Sequence, residues 1–219
     1  MPVLNEAGQL LEKLQALQCP RSQCEILLVD GGSSDGSIAI AKPLVDKVIN
    51  SAPGRARQMN LGATQAQAEV LLFLHADTRL PDNALGLIAK AVVVGAQWGH
   101  FDVQFDSPKT IFKLIAFMMN WRSKLTAIAT GDQALFITKA AFQAVGGFPD
   151  IALMEDIAIS SRLKQLGRPC CLQAKVVTSA RRWQAHGILH TILLMWRLRL
   201  AFFFGADPAA LAARYHRRQ

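Results

Sequence analysis

Short apolar runs alternate with amphipathic segments through the first half of the chain. The runs that end at Leu4, Asp30, Ile49 and Asp77 have the length and the Leu, Ile, Val or Phe content of strands buried on both faces. The segments between them carry good helix formers without an interior proline. This alternation predicts an α/β fold with right-handed crossovers, a parallel sheet and a ligand crevice at the carboxyl edge of its strands.

In the second half of the chain, predicted strands and helices alternate less regularly. Apolar spacing predicts helices over residues 82–94, 110–124 and 155–166. Alternation predicts the strands Trp98–Phe105 and Leu135–Thr138. The helix at 110–124 is so rich in Phe, Met and Trp that it either belongs to the core or forms a membrane-facing surface.

The composition is that of a globular protein. Of the 219 residues, 51% are hydrophobic and 18% are charged, and a chain of this length can bury one sizeable core. Neither a repeated C-x-x-C spacing nor the density of a secreted disulfide scaffold is present among Cys19, Cys24, Cys170 and Cys171. No basic segment with an apolar run follows Met1. We therefore expect reduced thiols and a cytoplasmic protein.

The net charge of +8 is concentrated near the C-terminal end. Residues 181–219 contain seven arginines and one acidic residue, Asp207. The apolar stretch 188–205 is nearly long enough to span a bilayer. However, Arg197 and Arg199 lie inside it, and each would cost about 2.5 to 3.5 kcal/mol near the centre of a spanning helix. A spanning helix is therefore not expected.

This charge pattern divides the chain in two. We expect one domain at residues 1–183, followed by a basic amphipathic helical extension at residues 184–219. The extension either lies peripherally on an anionic membrane surface, on the inner face of the membrane, or packs on the protein's own core with solvated arginines.

Carboxylates recur at the ends of the predicted elements. Asp30 and Asp77 follow buried strands, and the pair Glu155 and Asp156 opens a helix. Asp77, at the carboxyl edge of a sheet, would either hold a metal or a phosphate-bearing substrate or only cap the turn that follows.

A glycine-rich loop, residues 31–37, comes directly after Asp30. It matches neither the G-x-G-x-x-G fingerprint nor a P-loop, because no glycine is followed by Lys-Ser or Lys-Thr. This argues against a dinucleotide oxidoreductase and against an NTPase. The loop is either an ordinary tight turn or a place where the backbone approaches a base or ribose, with Asp30 accepting from an N–H or O–H group.

Six segments, in order along the chain, resemble the family 2 glycosyltransferases of the GT-A fold. They are PVLNE at 2–6, VDGGSSDG at 29–36, GRARQMNLGA at 54–63, LHAD at 74–77, GGFP at 146–149 and ED at 155–156. One such motif is weak evidence, whereas six in order are strong. The resemblance extends to about Trp183 and implies a nucleotide-diphospho-sugar transferase fold, with a mostly parallel central sheet flanked by helices.

The resemblance implies a role for each matched residue. The positions implied to bind a nucleotide-diphosphate sugar are Pro2, Asn5, Glu6, Asp30, Arg57, Asn60 and Arg182. Asp77 matches the last acid of the metal-binding D-x-D motif and would hold Mg²⁺ or Mn²⁺. Asp156 matches the general base, with Glu155 beside it. The positions implied to bind the acceptor are Gly131, Asp132 and Trp183.

The implied reaction is the inverting transfer of one hexosyl group to an acceptor hydroxyl. The leaving diphosphate needs a cation, and one carboxylate base without a carboxylate nucleophile gives inversion. Two departures from the family pattern matter. The metal motif reads His75-Ala76-Asp77, with only one acid. Ser179 replaces the glutamine of the Q-x-x-R-W motif that marks chain-extending synthases, so we expect single transfer and not polymerisation.

The segment from Thr178 onward also resembles a small bacterial branch named for arsenosugar biosynthesis. Within it, Arg182 either contacts the diphosphate or pairs with a carboxylate such as Asp156. The acceptor hydroxyl is expected to belong to a lipid or to a small metabolite. Two alternatives remain: a sugar-nucleotide-binding or nucleotidyltransferase-like protein on the same scaffold, and a non-catalytic basic protein. No nucleic-acid motif accompanies the arginines, so a nucleic-acid partner is not expected.

Overall fold

The computed structural model describes residues 1–17 and 22–216, which form two sheets. The first sheet is entirely parallel and consists of β1 (Pro2–Val3), β2 (Leu27–Asp30) and β3 (Lys47–Asn50), in that order. The helices of this half are α1 (Ala7–Ala16), α2 (Ser37–Ala41) and α3 (Arg55–Gln65). Leu10 and Leu14 of α1 pack with Leu28 in a buried cluster, as the amphipathic spacing of α1 predicts.

The second sheet is mixed and has the strand order β4-β6-β5-β7. Its strands are β4 (Val70–Phe73), β5 (Trp98–Phe105), β6 (Leu135–Thr138) and β7 (Cys170–Thr178). β6 runs antiparallel to β4 and β5, whereas β5 and β7 are parallel. The helices of this half are α4 (Ala84–Val93), α5 (Thr110–Thr126), α6 (Lys139–Ala144) and α7 (Glu155–Leu163). Phe101 and Phe136 are completely buried in this half.

The α/β class is as predicted, but the fourth strand differs from the expectation of a single parallel sheet. β4 pairs antiparallel with β6 and, in the described part of the chain, makes no ladder with the first sheet. A short apolar run is compatible with either pairing direction, so the sequence pattern did not determine the partner of β4. β4 also ends at Phe73, so Asp77 lies in the loop beyond the strand and not at its last position.

Two other features depart from the sequence predictions. β7 was not predicted, although it pairs along most of β5. Cys24 is disulfide-bonded, which corrects the expectation of reduced thiols at that residue. Cys19 lies outside the described residues, and Cys170 and Cys171 are free.

The C-terminal extension, predicted at residues 184–219, begins within α8 (Arg181–His186) and continues as α9 (Ile188–Phe203) and α10 (Pro208–His216). Leu198 of α9 and Leu211 of α10 are buried against Met154. The opposite side of α9 is exposed, with Phe203 81% accessible. The extension therefore packs on the domain through one face only. Within residues 1–17 and 22–216, none of the helices combines the length and the apolar character needed to cross a bilayer.

Candidate active site

A cavity of about 480 Å³ lies where the mixed sheet meets α5, α7 and the C-terminal extension. The predicted site residues that line it are Asp77, Gly131, Asp132, Glu155, Asp156, Arg182 and Trp183. These residues come from four separate motifs of the sequence. The fold therefore brings the predicted metal, base and acceptor residues to one place.

One group of side chains in this cavity has the composition of a metal site. His75, Asp77 and Asp132 each offer a ligand atom, and these atoms lie within 4.8 Å of one another. All three residues are half-buried. An imidazole nitrogen with two carboxylates fits a divalent first-row ion. The sequence motif predicted only Asp77 as a metal ligand. His75 stands where the D-x-D motif has its first acid, and Asp132 is far away in the chain.

The carboxylate of Asp132 is held in its ionised form by its neighbours. Nδ1 of His75 lies 3.6 Å from Oδ1 of Asp132. Partial burial acts to raise the pKa of Asp132, but the hydrogen bond and charge of His75, with the charges of Arg55 and Arg182, lower that pKa below its ordinary value. An ionised carboxylate is the form that binds a cation.

A 3-10 helix, Gly131–Gln133, positions both Asp132 and the backbone of Gly131. Gln133 is completely buried, and its amide donates to Oγ of Ser123 in α5 at 3.0 Å. At Gly131 a Cβ atom would overlap the ring of His75. Glycine is therefore needed at this position because the imidazole of His75 lies directly against the backbone.

Glu155 and Asp156 occupy the first turn of α7, where the helix dipole favours anions. Met154, before them, has a φ of 71°, which turns the chain sharply into the helix. Oδ2 of Asp156 accepts the N–H of Gly131 at 3.0 Å, and its Oδ1 accepts the N–H of Ile157 at 2.8 Å. Glu155 is buried, and burial together with the charge of Asp156 raises its pKa. Asp156 is thus the more available carboxylate of the pair.

Two arginines face the acidic groups of this site. Arg55 of α3 and Arg182 of α8 line the cavity, and both act electrostatically on Asp132. A guanidinium nitrogen of Arg182 donates to the hydroxyl of Tyr215, and the guanidinium lies over the Tyr215 ring at 5.4 Å from its centroid. Among the described residues, Arg182 forms no ion pair with Asp156, so the predicted alternative of an Arg182–Asp156 pair is not observed. Arg55 was not singled out by the sequence pattern.

Asp30 lies at the end of β2, at the edge where the first sheet meets the glycine-rich loop. Its Oδ2 accepts the N–H groups of Gly32 and Ser33 at 2.8 and 2.9 Å. Its Oδ1 is buried and has no hydrogen-bond partner among the described residues. A buried Gln58, which the sequence pattern did not reveal, donates to the carbonyl oxygens of Val3 and Val29. The backbone therefore holds one carboxylate oxygen of Asp30, and the other oxygen can accept a hydrogen bond from a ligand.

Pro2, Asn5 and Glu6 lie at the same edge of the first sheet. Pro2 pairs with Val29 in the β1–β2 ladder. Oδ1 of Asn5 accepts the N–H of Ser34 at 2.9 Å. Burial, and then the charge of Asp77, raise the pKa of Glu6. None of these three residues lines the cavity that contains Asp156.

Arg57 and Asn60 are also outside that cavity. Nε of Arg57 donates to the exposed carboxylate of Asp150 at 2.9 Å. The amide of Asn60 donates to the carbonyl of Phe148 at 2.8 Å and accepts the N–H of Phe148 at 2.9 Å. Both side chains therefore hold the Gly-Gly-Phe-Pro segment against α3.

Comparison with known structures places this arrangement in the GT-A fold. S. aureus TarS 1–349, in complex with UDP-GlcNAc, is 17% identical with a TM-score of 0.64, and the match covers 81% of this chain and 56% of that one. The mannosyltransferase PcManGT from Pyrobaculum calidifontis, in complex with GDP-Man and Mn²⁺, is 19% identical with a TM-score of 0.65, covering 91% and 59%. The chain thus spans less than two thirds of either protein.

Comparison of sequences assigns the family. No significant match is found among curated proteins. The profile described as glycosyl transferase family 2 matches residues 1–143, well over half of the chain. The protein belongs to glycosyl transferase family 2.

Proposed function

We propose that the protein is a metal-dependent, inverting glycosyltransferase that moves one hexosyl group from a nucleotide-diphosphate sugar to an acceptor hydroxyl. One observation carries this proposal: the cluster of His75, Asp77 and Asp132 lines the same cavity as Asp156. Glycosyl transfer needs a cation at the leaving diphosphate and a base at the attacking hydroxyl, so the two groups must lie side by side.

The donor is proposed to bind with its nucleoside at the end of β2. The free Oδ1 of Asp30 is buried, and a buried carboxylate oxygen is costly unless a ligand donates to it. A ribose hydroxyl or a base N–H is such a donor. TarS structures contain UDP-GlcNAc or UDP, and the PcManGT structure contains GDP-Man. Pro2, Asn5 and Glu6 are proposed to line the same nucleotide pocket.

The metal is proposed to be Mn²⁺, held by His75, Asp77 and Asp132. Carboxylates suit both Mg²⁺ and Mn²⁺, whereas imidazole is a ligand of transition ions. The PcManGT structure contains Mn²⁺, which supports this choice. When bound, the ion would neutralise the charge that develops on the leaving diphosphate. Arg55 and Arg182 are proposed to bind phosphate oxygens from the same side.

Asp156 is proposed to be the general base. As the acceptor oxygen bonds to the anomeric carbon, its proton passes to Asp156, and the bond from that carbon to the diphosphate breaks. Attack from the face opposite the leaving group inverts the anomeric centre. Glu155 is buried, whereas Asp156 is half-buried and lines the cavity, so Asp156 is the member of the pair that an acceptor can reach.

The acceptor is proposed to enter beside Gly131 and Trp183. The Trp183 ring is fixed edge-on against Phe105, with 5.6 Å between ring centroids. Arg57 and Asn60 are proposed to serve the donor indirectly, by holding the Gly-Gly-Phe-Pro segment. Peripheral attachment to an anionic membrane through α9 is also proposed, and membership of the arsenosugar-type branch stays a prediction.

The experiment that tests this function is a screen of UDP-, GDP- and dTDP-sugars for binding and for Mn²⁺-dependent release of nucleoside diphosphate. Release from one of them by the wild type, lost on chelation, is the expected result. Release of sugar 1-phosphate instead, by cleavage of the bond between the two phosphates, would identify a nucleotidyltransferase-like reaction. Binding of no nucleotide sugar would overturn the proposal.

A further inference from the structure

Two arginines that line the active-site cavity have no role in the proposed glycosyl transfer. Arg122 of α5 and Arg199 of α9 both line the cavity. Nε and Nη2 of Arg122 and Nε of Arg199 are buried and lack hydrogen-bond partners among the described residues. Neither arginine forms an ion pair with an acidic side chain in that part of the chain.

Unpaired guanidinium groups in such a place are unfavourable. Burial and, after it, the positive charge of Arg199 lower the pKa of Arg122 to about 10, against the opposing charge of Asp156. Two like charges that face one cavity without hydrogen bonds destabilise the protein. An anion between them would satisfy the free N–H groups and remove the repulsion, because guanidinium groups bind phosphate with paired hydrogen bonds.

The walls around these arginines are apolar and continue to the outside of the molecule. Leu114, Met118 and Trp121 of α5 line the cavity and are 47 to 55% exposed. On the facing helix α9, Trp196 lines the cavity and is 66% exposed. Further exposed apolar side chains extend both helix surfaces: Phe117, Leu125, Leu189, Leu193, Leu200 and Phe203. An exposed apolar surface of this kind is typical of an interaction site for a membrane, a protein or an apolar ligand.

We propose that the acceptor is an anionic phospholipid whose head group carries a free hydroxyl. Its phosphate binds between Arg122 and Arg199, its hydroxyl reaches Asp156, and its acyl chains lie along the apolar surfaces of α5 and α9. The lipid oxygen then bonds to the anomeric carbon, its proton passes to Asp156, and the nucleoside diphosphate leaves. This inference rests on the proposed function and adds the class of acceptor.

The binding of the lipid is measurable without any sugar donor. The probe is dihexanoyl-phosphatidylglycerol, kept below its micelle concentration so that single molecules and not surfaces are bound. Dihexanoyl-phosphatidylcholine has the same chains without net charge or hydroxyl, and glycerol 3-phosphate has the head group without chains. We expect phosphatidylglycerol to bind about tenfold more tightly than either. Equal binding of the two lipids, or no binding of phosphatidylglycerol, would overturn the inference.

Substitutions test whether Arg122 and Arg199 bind phosphatidylglycerol. Arg122→Gln and Arg199→Gln should each weaken phosphatidylglycerol binding about tenfold. The control is Arg197→Gln, which removes the same charge from the same helix at an exposed position outside the cavity and should leave binding unchanged. If all three variants bind as the wild type does, or all three weaken equally, the anion site is wrong. Should Arg122→Gln fail to fold, Arg122→Lys keeps the charge but not the paired donors and is expected to weaken binding as well.

The two proposals fail in different ways. Donor hydrolysis to nucleoside diphosphate without any lipid reports on the transferase alone. If hydrolysis is seen but phosphatidylglycerol neither binds nor becomes glycosylated, the acceptor inference is wrong and the proposed function stands. If phosphatidylglycerol binds in an arginine-dependent way and no nucleotide sugar is bound or cleaved, the proposed function is wrong.

Discussion

The backbone N–H of Gly131 donates a hydrogen bond of 3.0 Å to Oδ2 of Asp156. The same glycine lies against the ring of His75, at a place where a side chain would overlap it. One backbone unit therefore positions both the proposed base and one ligand of the proposed metal site. Gly131 thus connects the proposed general base to the proposed metal site, which no motif of the sequence indicates.

Replacement of Gly131 by alanine should disturb both groups. The added methyl group must displace the His75 ring, and we expect the Mn²⁺ concentration needed for half-maximal donor hydrolysis to rise about tenfold or more. The matched control is Gly86→Ala, because Gly86 lies in α4 with open space around it. That change should leave hydrolysis unaffected and raise stability by up to about 1 kcal/mol. An unchanged Mn²⁺ requirement in Gly131→Ala would contradict the described packing.

Asp77→Asn should strongly lower metal-dependent turnover while the fold is retained. The change is isosteric and removes only the charge that binds the cation, so we expect activity to fall about a hundredfold across a Mn²⁺ titration. The control is Asp82→Asn, an exposed carboxylate five positions further on. Turnover that persists in Asp77→Asn at every Mn²⁺ concentration would exclude a metal role for this residue.

Asp156→Asn should lower turnover without loss of donor affinity. A base acts on the acceptor, so the rate should fall by about 10² to 10⁴ while the dissociation constant of the nucleotide sugar stays the same. Titration calorimetry with the donor, beside steady-state rates, separates the two effects. Equal losses of affinity and rate would make Asp156 a donor-binding residue instead.

Glu155→Gln should stabilise the protein in a pH-dependent way. Burial and the charge of Asp156 raise the pKa of Glu155 above its ordinary 4.5, while Arg55 and His75 act against this rise. The stability contributed by the protonated group is complete below pH 4.5 and is lost as the pH rises through the raised pKa. With a chelator present, the melting temperature of Glu155→Gln should therefore exceed that of the wild type by more at pH 7 than at pH 4. A difference that does not change with pH would contradict the raised pKa.

The local motifs selected several residues that share one cavity, but they did not predict the arrangement of the strands. Asp77 and Asp156 stand next to elements that the apolar pattern marks, and they share one cavity with Asp132, which only the family resemblance indicated. The antiparallel pairing of β4 was not predictable in this way, because a short apolar run is compatible with either direction. The sequence also did not distinguish Arg122 and Arg199 from surface arginines. A buried arginine without a partner and a solvated arginine can occupy the same positions of a helical pattern.

The last prediction concerns the exposed face of α9. Trp196 and Phe203 are 66% and 81% exposed on this helix, and Arg197 lies beside Trp196. If this face binds membranes, co-sedimentation with vesicles of phosphatidylglycerol and phosphatidylcholine should fall in a Trp196→Ser, Phe203→Ser variant. A pair of exposed apolar residues at the C-terminal end of α4, Val93 and Val94, provides the control when both are changed to serine.

Salt separates the electrostatic from the apolar part of this binding. A basic residue near an anionic surface contributes about 1 kcal/mol, and physiological salt screens it over roughly 8 Å. Arg197→Gln should therefore weaken vesicle binding at low salt and have little effect at high salt, although it leaves the binding of monomeric phosphatidylglycerol unchanged. If no wild-type protein sediments with anionic vesicles at low salt, the exposed face of α9 does not serve as a membrane surface. The lipid would then have to reach Arg122 and Arg199 as a single molecule.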